Sequence, residues 1–254
     1  MSCPSKKRLD TLLVEKGLTS SRQQAQALIM AGSVLVNDMP ATKAGAQVSP
    51  DVNIKVKDQC PYVSRGGLKL EGALNALSLD VTGLTCLDVG ASTGGFTDCL
   101  LQRNAAHVFA VDVGYGQFAW KLRQDPRVTI IERTNIRHMK PDAMPAPVDL
   151  AVIDVSFISL KIVIPATLPF IRPSGRILAL IKPQFEVGKG KVGKGGVVRD
   201  PALHQEVITA LSEWAAANNL SATPATQSPT PGPKGNIEFF AIYQPNHKTT
   251  KTTE

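Results

Sequence analysis

A chain of 254 residues with 43% apolar side chains can bury a sizeable core, and its length suits one large domain with a small appendage better than two full domains. Its net charge of +7 and isoelectric point near 9.3 point to an acidic partner such as nucleic acid or an anionic surface. The four cysteines (Cys3, Cys60, Cys86, Cys99) lack C-x-x-C spacing and the four histidines are scattered, so no metal site or redox pair is expected; with no span-length apolar run and no signal-peptide core, neither is a membrane partner, and a cytoplasmic location is.

The first sixty residues differ from the rest. RLDTLLVEKG, from Arg8, carries leucines at helical spacing and stops at Gly17, and TSSRQQAQALIMAG opens on Ser20 or Ser21 as N-cap and closes on Gly32. After these two short helices, SVLVND and AGAQVSPDVNIKV read as short strands, with Asn37-Asp38 as turn residues although the usual second-position glycine is absent. The expected boundaries are residues 1–58 for this unit, 59–64 for a linker, 65–246 for a second unit and 247–254 for a disordered tail.

Past the linker, LKLEGALNALSL is helical, TCLDVG a strand, TGGFTDCLLQRN a helix and HVFAVDV a strand. GQFAWKLRQ follows as a helix, VTIIE and DLAVIDV as strands, IVIPATLPFI as mostly helix and RILALIK as a strand. DPALHQEVITALSEWAAAN is a helix with Asp200 as cap and Pro201 in its first turn, SATPATQSPTPGPKGN a turn-rich connection, and IEFFAIYQ a closing strand. Alternating strands and helices predict an α/β fold, a Rossmann-like parallel sheet covered on both faces, beside the small α+β unit at the N-terminus. Ligands then belong at the carboxyl ends of the strands.

LDVGASTGGFTDCLL, from Leu87 to Leu101, is a strand, a glycine-rich turn and a helix start, as in nucleotide cradles. Gly90-x-Ser92-x-Gly94 falls short of the full dinucleotide pattern, and S-adenosylmethionine, which joins an amino acid to a nucleoside without phosphate, fits better. Gly90, Ser92, Thr93, Gly94, Gly95 and Phe96 would form its turn, and Asp88 would face a cationic ligand. Asp112, ending the next strand, would accept hydrogen bonds from ribose hydroxyls, and Asn135 would face the adenine. Asp154 in VIDVSFISL would lie at the methyl end. Amine methylases carry two prolines and an aromatic residue after that acid, whereas this chain has DVSF; cytosine carbon-5 chemistry needs a cysteine near its catalytic loop, and none lies after Cys99. A hydroxyl target remains, with Lys69, Asp154, Lys182 and Glu238 pointing into one site. Lys182 is read as the group nearest the hydroxyl, as base or as stabiliser of the oxyanion.

The first unit resembles the αL RNA-binding module shared by a small-subunit ribosomal protein, pseudouridine synthases and tyrosyl-tRNA synthetases. Arg8, Leu9, Asp10, Leu13, Gly17, Ser21, Arg22, Ala25, Ile29, Gly32 and Val34 carry the match, continued by Val36, Asn37 and Lys43. That resemblance implies RNA contacts at Arg8, Arg22, Gln26 and Lys43. SRGGLKL, LDVGASTGGFTDCLL, DVSFISL, LIKPQFE and GNIEFF resemble FtsJ-type ribose 2'-O-methyltransferases, and the whole chain resembles the TlyA/hemolysin A family of rRNA methyltransferases. The resemblance implies catalytic roles for Lys69, Asp154, Lys182 and Glu238, S-adenosylmethionine as cofactor, and ribosomal RNA or ribosomal subunits as partner, with no obligate protein partner.

GKGKVGKGG, from Gly188, nearly spells a phosphate-binding loop, but Gly195 stands where the magnesium-binding hydroxyl is required. Lys189, Lys191 and Lys194 read instead as a lid that tracks RNA phosphates, with Arg65 as a further RNA contact. Two rival readings are a membrane-active hemolysin and a non-catalytic RNA-binding protein on the same fold.

Overall fold

Apolar residues three and four apart give the first two helices one buried stripe each. In the computed structural model, which describes residues 5–56, 60–188 and 190–246, α1 (Leu9–Glu15) and α2 (Arg22–Met30) pack Leu9, Leu13, Ala25, Leu28 and Ile29 around Val34. Ser21 caps α2, its hydroxyl accepting from Gln24 N at 3.2 Å. β1 (Lys7–Arg8) pairs with β4 (Gln47–Val48), and β2 (Val34–Val36) lies between β3 (Met39–Pro40) and β5 (Ile54–Val56). Asn37 and Asp38, at φ 51° and 63°, make the two-residue turn between β2 and β3 without a glycine. AGAQVSPDVNIKV is two strands in two different sheets, β4 and β5, interrupted at Ser49-Pro50-Asp51.

Asp10 is fully buried and holds this unit together. It accepts from Arg8 Nε and Nη2 at 3.0 and 2.9 Å, from Arg22 Nε at 2.9 Å and from Gln26 Nε2 at 2.9 Å. Three side chains expected to serve RNA therefore have an internal acceptor, a partner the sequence reading did not foresee. Hydrogen bonding from Arg8, with help from Gln26 and Arg22, holds the Asp10 carboxyl far below the usual range despite its burial. Arg8 and Arg22 stay exposed, and a guanidinium has five donors, so each retains N–H groups for an anion.

The chain divides after Cys60. In the second unit α3 (Arg65–Ala76) precedes β6 (Thr85–Val89), α4 (Gly95–Gln102), β7 (His107–Val111), α5 (Trp120–Arg123) and β8 (Val128–Ile131). Then come β9 (Val148–Ile153), α6 (Leu160–Thr167), β10 (Ile171–Ile181), α7 (Pro183–Glu186) and α8 (Pro201–Ala217). β11 (Leu220–Ala222), β12 (Thr226–Gln227) and β13 (Phe239–Pro245) close the unit. The sheet order is β11-β13-β10-β9-β6-β7-β8, with β12 also on β13; β6 to β10 are parallel and β13 is antiparallel to β10. Side-chain alternation splits the core: Leu87, Ala151, Ile153, Ile177 and Ala179 face α6 and α8, while Cys86, Leu150, Val152, Leu178 and Phe240 face α3 and α4.

Four local expectations change. The helix expected in GQFAWKLRQ spans only Trp120–Arg123, because Gly116 sits at φ 75° and Gly114 N is drawn to Asp112 Oδ1 at 2.6 Å. The helix expected from Leu68 starts at Arg65, with Tyr62 packed where a Gly67 side chain would be. β10 begins at Ile171, running through Pro173 with a register shift before Arg176. The proline-rich connection contributes β11 and β12, both paired to β13. The expected tail, 247–254, lies outside the described residues.

Asp10→Asn leaves two guanidinium groups converging on a neutral amide. Amide exchange in the full chain is expected to show α1 and α2 destabilised by about 2–3 kcal/mol at pH 7. A carboxyl depressed by folding stabilises above its unfolded pKa and stops doing so as pH falls below it. Wild-type protection should therefore drop on acidification below about pH 4, and that of the variant should not.

Candidate active site

Because β9 and β10 are parallel and β13 is antiparallel to β10, the ends of the first two and the start of the third share one sheet edge. Asp154 directly follows β9, Lys182 follows β10 and Glu238 precedes β13. Lys69 comes from α3, next to the core residue Leu70. Lys182 Nζ lies 2.5 Å from Asp154 Oδ1 and 3.2 Å from Ser156 Oγ. Lys69 Nζ lies 2.6 Å from Glu238 Oε2, and Gln184 Nε2 on α7 donates to Glu238 Oε1 at 3.0 Å. The four residues are thus two ion pairs, with Lys69, Lys182 and Glu238 all buried.

Glycine is required twice around these pairs. Gly90 has φ +87°, and a Cβ there would lie 2.4 Å from the Asp154 carbonyl oxygen. A Cβ on Gly232 would meet Glu238 Oε1 at 2.1 Å, so the loop of Pro231 and Pro233 can close over the carboxylate only with glycine between them.

Three cavities meet here. The first, about 480 Å³, is lined by Gly90, Ser92, Asp112, Asn135, Asp154 and Phe157, among others. Asp112 ties its turns together, accepting from Ser92 N at 2.7 Å and Gly114 N at 2.6 Å. Asn135 Oδ1 accepts from Arg137 N at 3.1 Å. The second cavity, about 370 Å³, shares Gly90, Ser92 and Asp154 with the first and adds Arg65, Lys69, Thr93, Gly95 and Phe96. The third, about 490 Å³, has Lys182, Gln184, Phe185, Glu238, Lys234 and Asn236 in its lining and meets the first at Ser156 and Phe157.

Gly94 and Asp88 depart from the expectation, and Phe96 meets it only in part. Gly94 lines none of the three cavities; its missing side chain makes room for Leu122 and Phe118. Phe96 is largely core, its ring 6.1 Å from that of Phe240. Asp88 is wholly buried and lines none of the three cavities, and it accepts from Thr97 N at 3.0 Å and Thr97 Oγ1 at 2.7 Å. Burial pushes its carboxyl up to about 7, with Thr97 opposing and the charges of Asp154 and Asp112 adding.

Of the lysine-rich segment, Lys189 lies outside the described residues, Lys191 is paired with Glu206 at 2.5 Å and Lys194 is exposed. Lys43 and Arg65 are exposed as well. The segment is anchored at its far end by the buried Asn236, which accepts from Val198 N at 3.1 Å and donates to Gly196 O at 3.0 Å. The sequence reading passed over Ser156, Gln184 and Asn236, although each sits within two residues of a tetrad member in a motif already singled out.

Residues 62–244 match the model of the FtsJ-like methyltransferases, and residues 7–54 match that of the S4 domain. The chain belongs to the TlyA/hemolysin A family of FtsJ-like methyltransferases. It is 50% identical over 235 residues to the 16S/23S rRNA (cytidine-2'-O)-methyltransferase TlyA of Mycobacterium tuberculosis, covering 92% of this chain and 88% of that one. It is 39% identical over 237 residues to Hemolysin A of Brachyspira hyodysenteriae, covering 93% and 99%. A solved hemolysin from Streptococcus thermophilus is 40% identical, with TM-score 0.73 over 98% of this chain and 93% of that one. The S-adenosylmethionine dependent methyltransferase of Listeria monocytogenes, at 14% identity and TM-score 0.52, covers 72% of this chain and all of its own, and shares the fold.

The methyl donor in this FtsJ-like family member is S-adenosylmethionine. The first cavity fits it: Gly90 leaves backbone open at the turn, Asp112 offers a carboxylate at the next strand end, and Asn135 brings an amide.

Two measurements bear on this geometry. Gly90→Ala is expected to abolish cofactor binding by calorimetry, since the new methyl group forces Asp154 away. Asp88, with its folded pKa above the unfolded one, contributes stability that is complete below about pH 4 and lost as pH rises through about 7. Thermal melts of the wild type should fall across that window, and Asp88→Asn should flatten the fall.

Proposed function

We propose that this protein transfers the methyl group of S-adenosylmethionine to a ribose 2'-hydroxyl in ribosomal RNA, with its S4 domain docking the RNA. The observation that carries this reading is the Lys182–Asp154 pair, set where the cofactor cavity meets a second chamber lined by aromatic and polar side chains. The 50% identical Mycobacterium tuberculosis relative, named for cytidine 2'-O-methylation of rRNA, supports the same target class.

When bound, the cofactor supplies a sulfonium methyl group and departs as a neutral thioether. An ammonium has three N–H donors, and two of those on Lys182 are directed at Asp154 and Ser156, leaving a third for the substrate oxygen. As that oxygen attacks, its O–H proton passes to solvent water, and the negative charge that develops on it grows beside a fixed cation. Lys69 and Gln184 hold Glu238, which lines the same chamber as Lys182. RNA phosphates have exposed cations to meet at Arg22 and Lys43 in the S4 domain, and at Arg65 and Lys194 in the catalytic unit. Such a substrate places the protein in the cytoplasm, acting on ribosomal RNA or on ribosomal subunits. For the membrane-active reading, no helix among the described residues is long and apolar enough to cross a membrane.

Labelled methyl transfer to ribosomal subunits from cells lacking the gene tests this. Wild type should produce alkali-resistant ribose methylation at a defined nucleotide. Lys182→Ala should lower the single-turnover rate by about 10²–10³-fold with cofactor still bound. Retention of the wild-type rate would remove Lys182 from the chemistry, and methylation of a base instead of a ribose would overturn the reaction.

A further inference from the structure

The third cavity has a feature that the ion pairs leave unexplained. Glu238 accepts from Lys69 on one oxygen and from Gln184 Nε2 on the other. Turning the Gln184 amide over would set oxygen against carboxylate oxygen, so its orientation is fixed. Its own carbonyl oxygen, Oε1, is closed to solvent and has no hydrogen-bond partner. An unpartnered buried amide oxygen is costly and calls for a donor. Among the described residues two other buried side-chain atoms share that condition: Thr19 Oγ1, in the N-terminal unit, and Asp88 Oδ1, which lines none of the three cavities described above.

The surroundings narrow the donor. The lining offers cations at Lys182 and Lys234, while its carboxylate, Glu238, already accepts on both oxygens. Nothing in that lining serves Gln184 Oε1. At the rim Phe157, 90% exposed and held at φ 63°, sets its ring 4.9 Å from that of Phe185. A bulky residue in that backbone region is strained, and an exposed ring backed by a half-buried one gives a planar ligand a face to stack on.

If the reaction is ribose methylation, as proposed above, the planar group beside Lys182 is the base of the nucleotide being methylated. Inside an RNA chain such a nucleotide has two kinds of hydrogen-bond donor: the 2'-hydroxyl, which is the nucleophile, and the N–H groups of its base. We propose that Gln184 is the specificity-determining residue of this enzyme, its Oε1 accepting from the exocyclic amino group of the target base. Cytosine satisfies it, whereas uracil, of equal size, sets a carbonyl oxygen against it and leaves both acceptors unpaired.

The test uses the full-length protein and ribosomal subunits from cells lacking the gene, reconstituted with cytidine or uridine at the mapped target position. Wild type should favour cytidine by about 10- to 100-fold in kcat/KM. Gln184→Met, of similar length without an acceptor, should bring that ratio to within about threefold. Gln184→Glu keeps an acceptor but loses the donor to Glu238, so it should be slower on both substrates while still preferring cytidine. A wild type that treats the two alike, a target that proves to be uridine, or variants that slow both substrates equally would overturn the proposal. The last result would make Gln184 solely a support for Glu238. Absence of ribose methylation by wild type would overturn the reaction assignment instead, and the two failures are therefore distinguishable.

Discussion

Two buried lysines meet at one end of the sheet, and a buried ammonium is tolerated only with its partner in place. Lys182 ends a strand, Ile177–Ile181, that is buried on both faces, and Asp154 meets it from the neighbouring strand. Lys69 comes from α3, beside the core residue Leu70, and Glu238 meets it from the start of the antiparallel strand. One pair ties together the neighbouring strands β9 and β10, and the other joins α3 to the start of β13, 169 residues further along the chain. Removing one member would leave an uncompensated charge, so folding constrains the same atoms that the proposed chemistry uses. Gly90 and Gly232 follow from this, since each gives way to one of the two carboxylate residues.

Much of this was legible because it depends on local periodicity and on strand ends. The run ILALI could be read as buried on both faces and Lys182 as its terminus, and the structure places both so. What sequence could not supply were partners. Asp10 looked like one matching residue among many, yet it is the buried acceptor for Arg8, Arg22 and Gln26, because spacing along a helix does not tell whether a cation turns outward or inward. Asp88 looked like a ligand contact from its place before the glycine turn, but strand alternation turns it to the α3–α4 side, where Thr97 receives it. β11 and β12 were hidden by prolines, since strands of three and two residues owe their existence to pairing with β13 rather than to any pattern of their own.

The segment from Asp154 to Phe157 lies between the first cavity and the chamber of Gln184, Ser156 and Phe157 lining both. Its first residue is tied to β6, Asp154 N donating to Val89 O at 3.0 Å. Its far side is held by Glu186, which accepts from Ser159 Oγ and from Leu160 N, both at 2.7 Å, at the start of α6. A carboxylate suits a helix N-terminus, where unpaired N–H groups converge. Between these two anchors the strained backbone of Phe157 can persist, because relaxing it would cost the hydrogen bonds on either side.

That places the whole of KPQFE in one arrangement. Lys182 carries the charge, Pro183 turns the chain out of the sheet into α7, Gln184 holds Glu238, Phe185 faces Phe157, and Glu186 pins the start of α6. A short helix is needed for this, because residues one, two, three and four steps beyond a strand end point in successive directions only if the chain coils at once. A strand continuing past Lys182 would send Gln184 and Glu186 to the same face, and the tie to Glu238 and the tie to α6 would compete for one side of the sheet. The proline after the lysine is what separates them, since it cannot donate to a ladder and its fixed φ already fits the first turn of a helix.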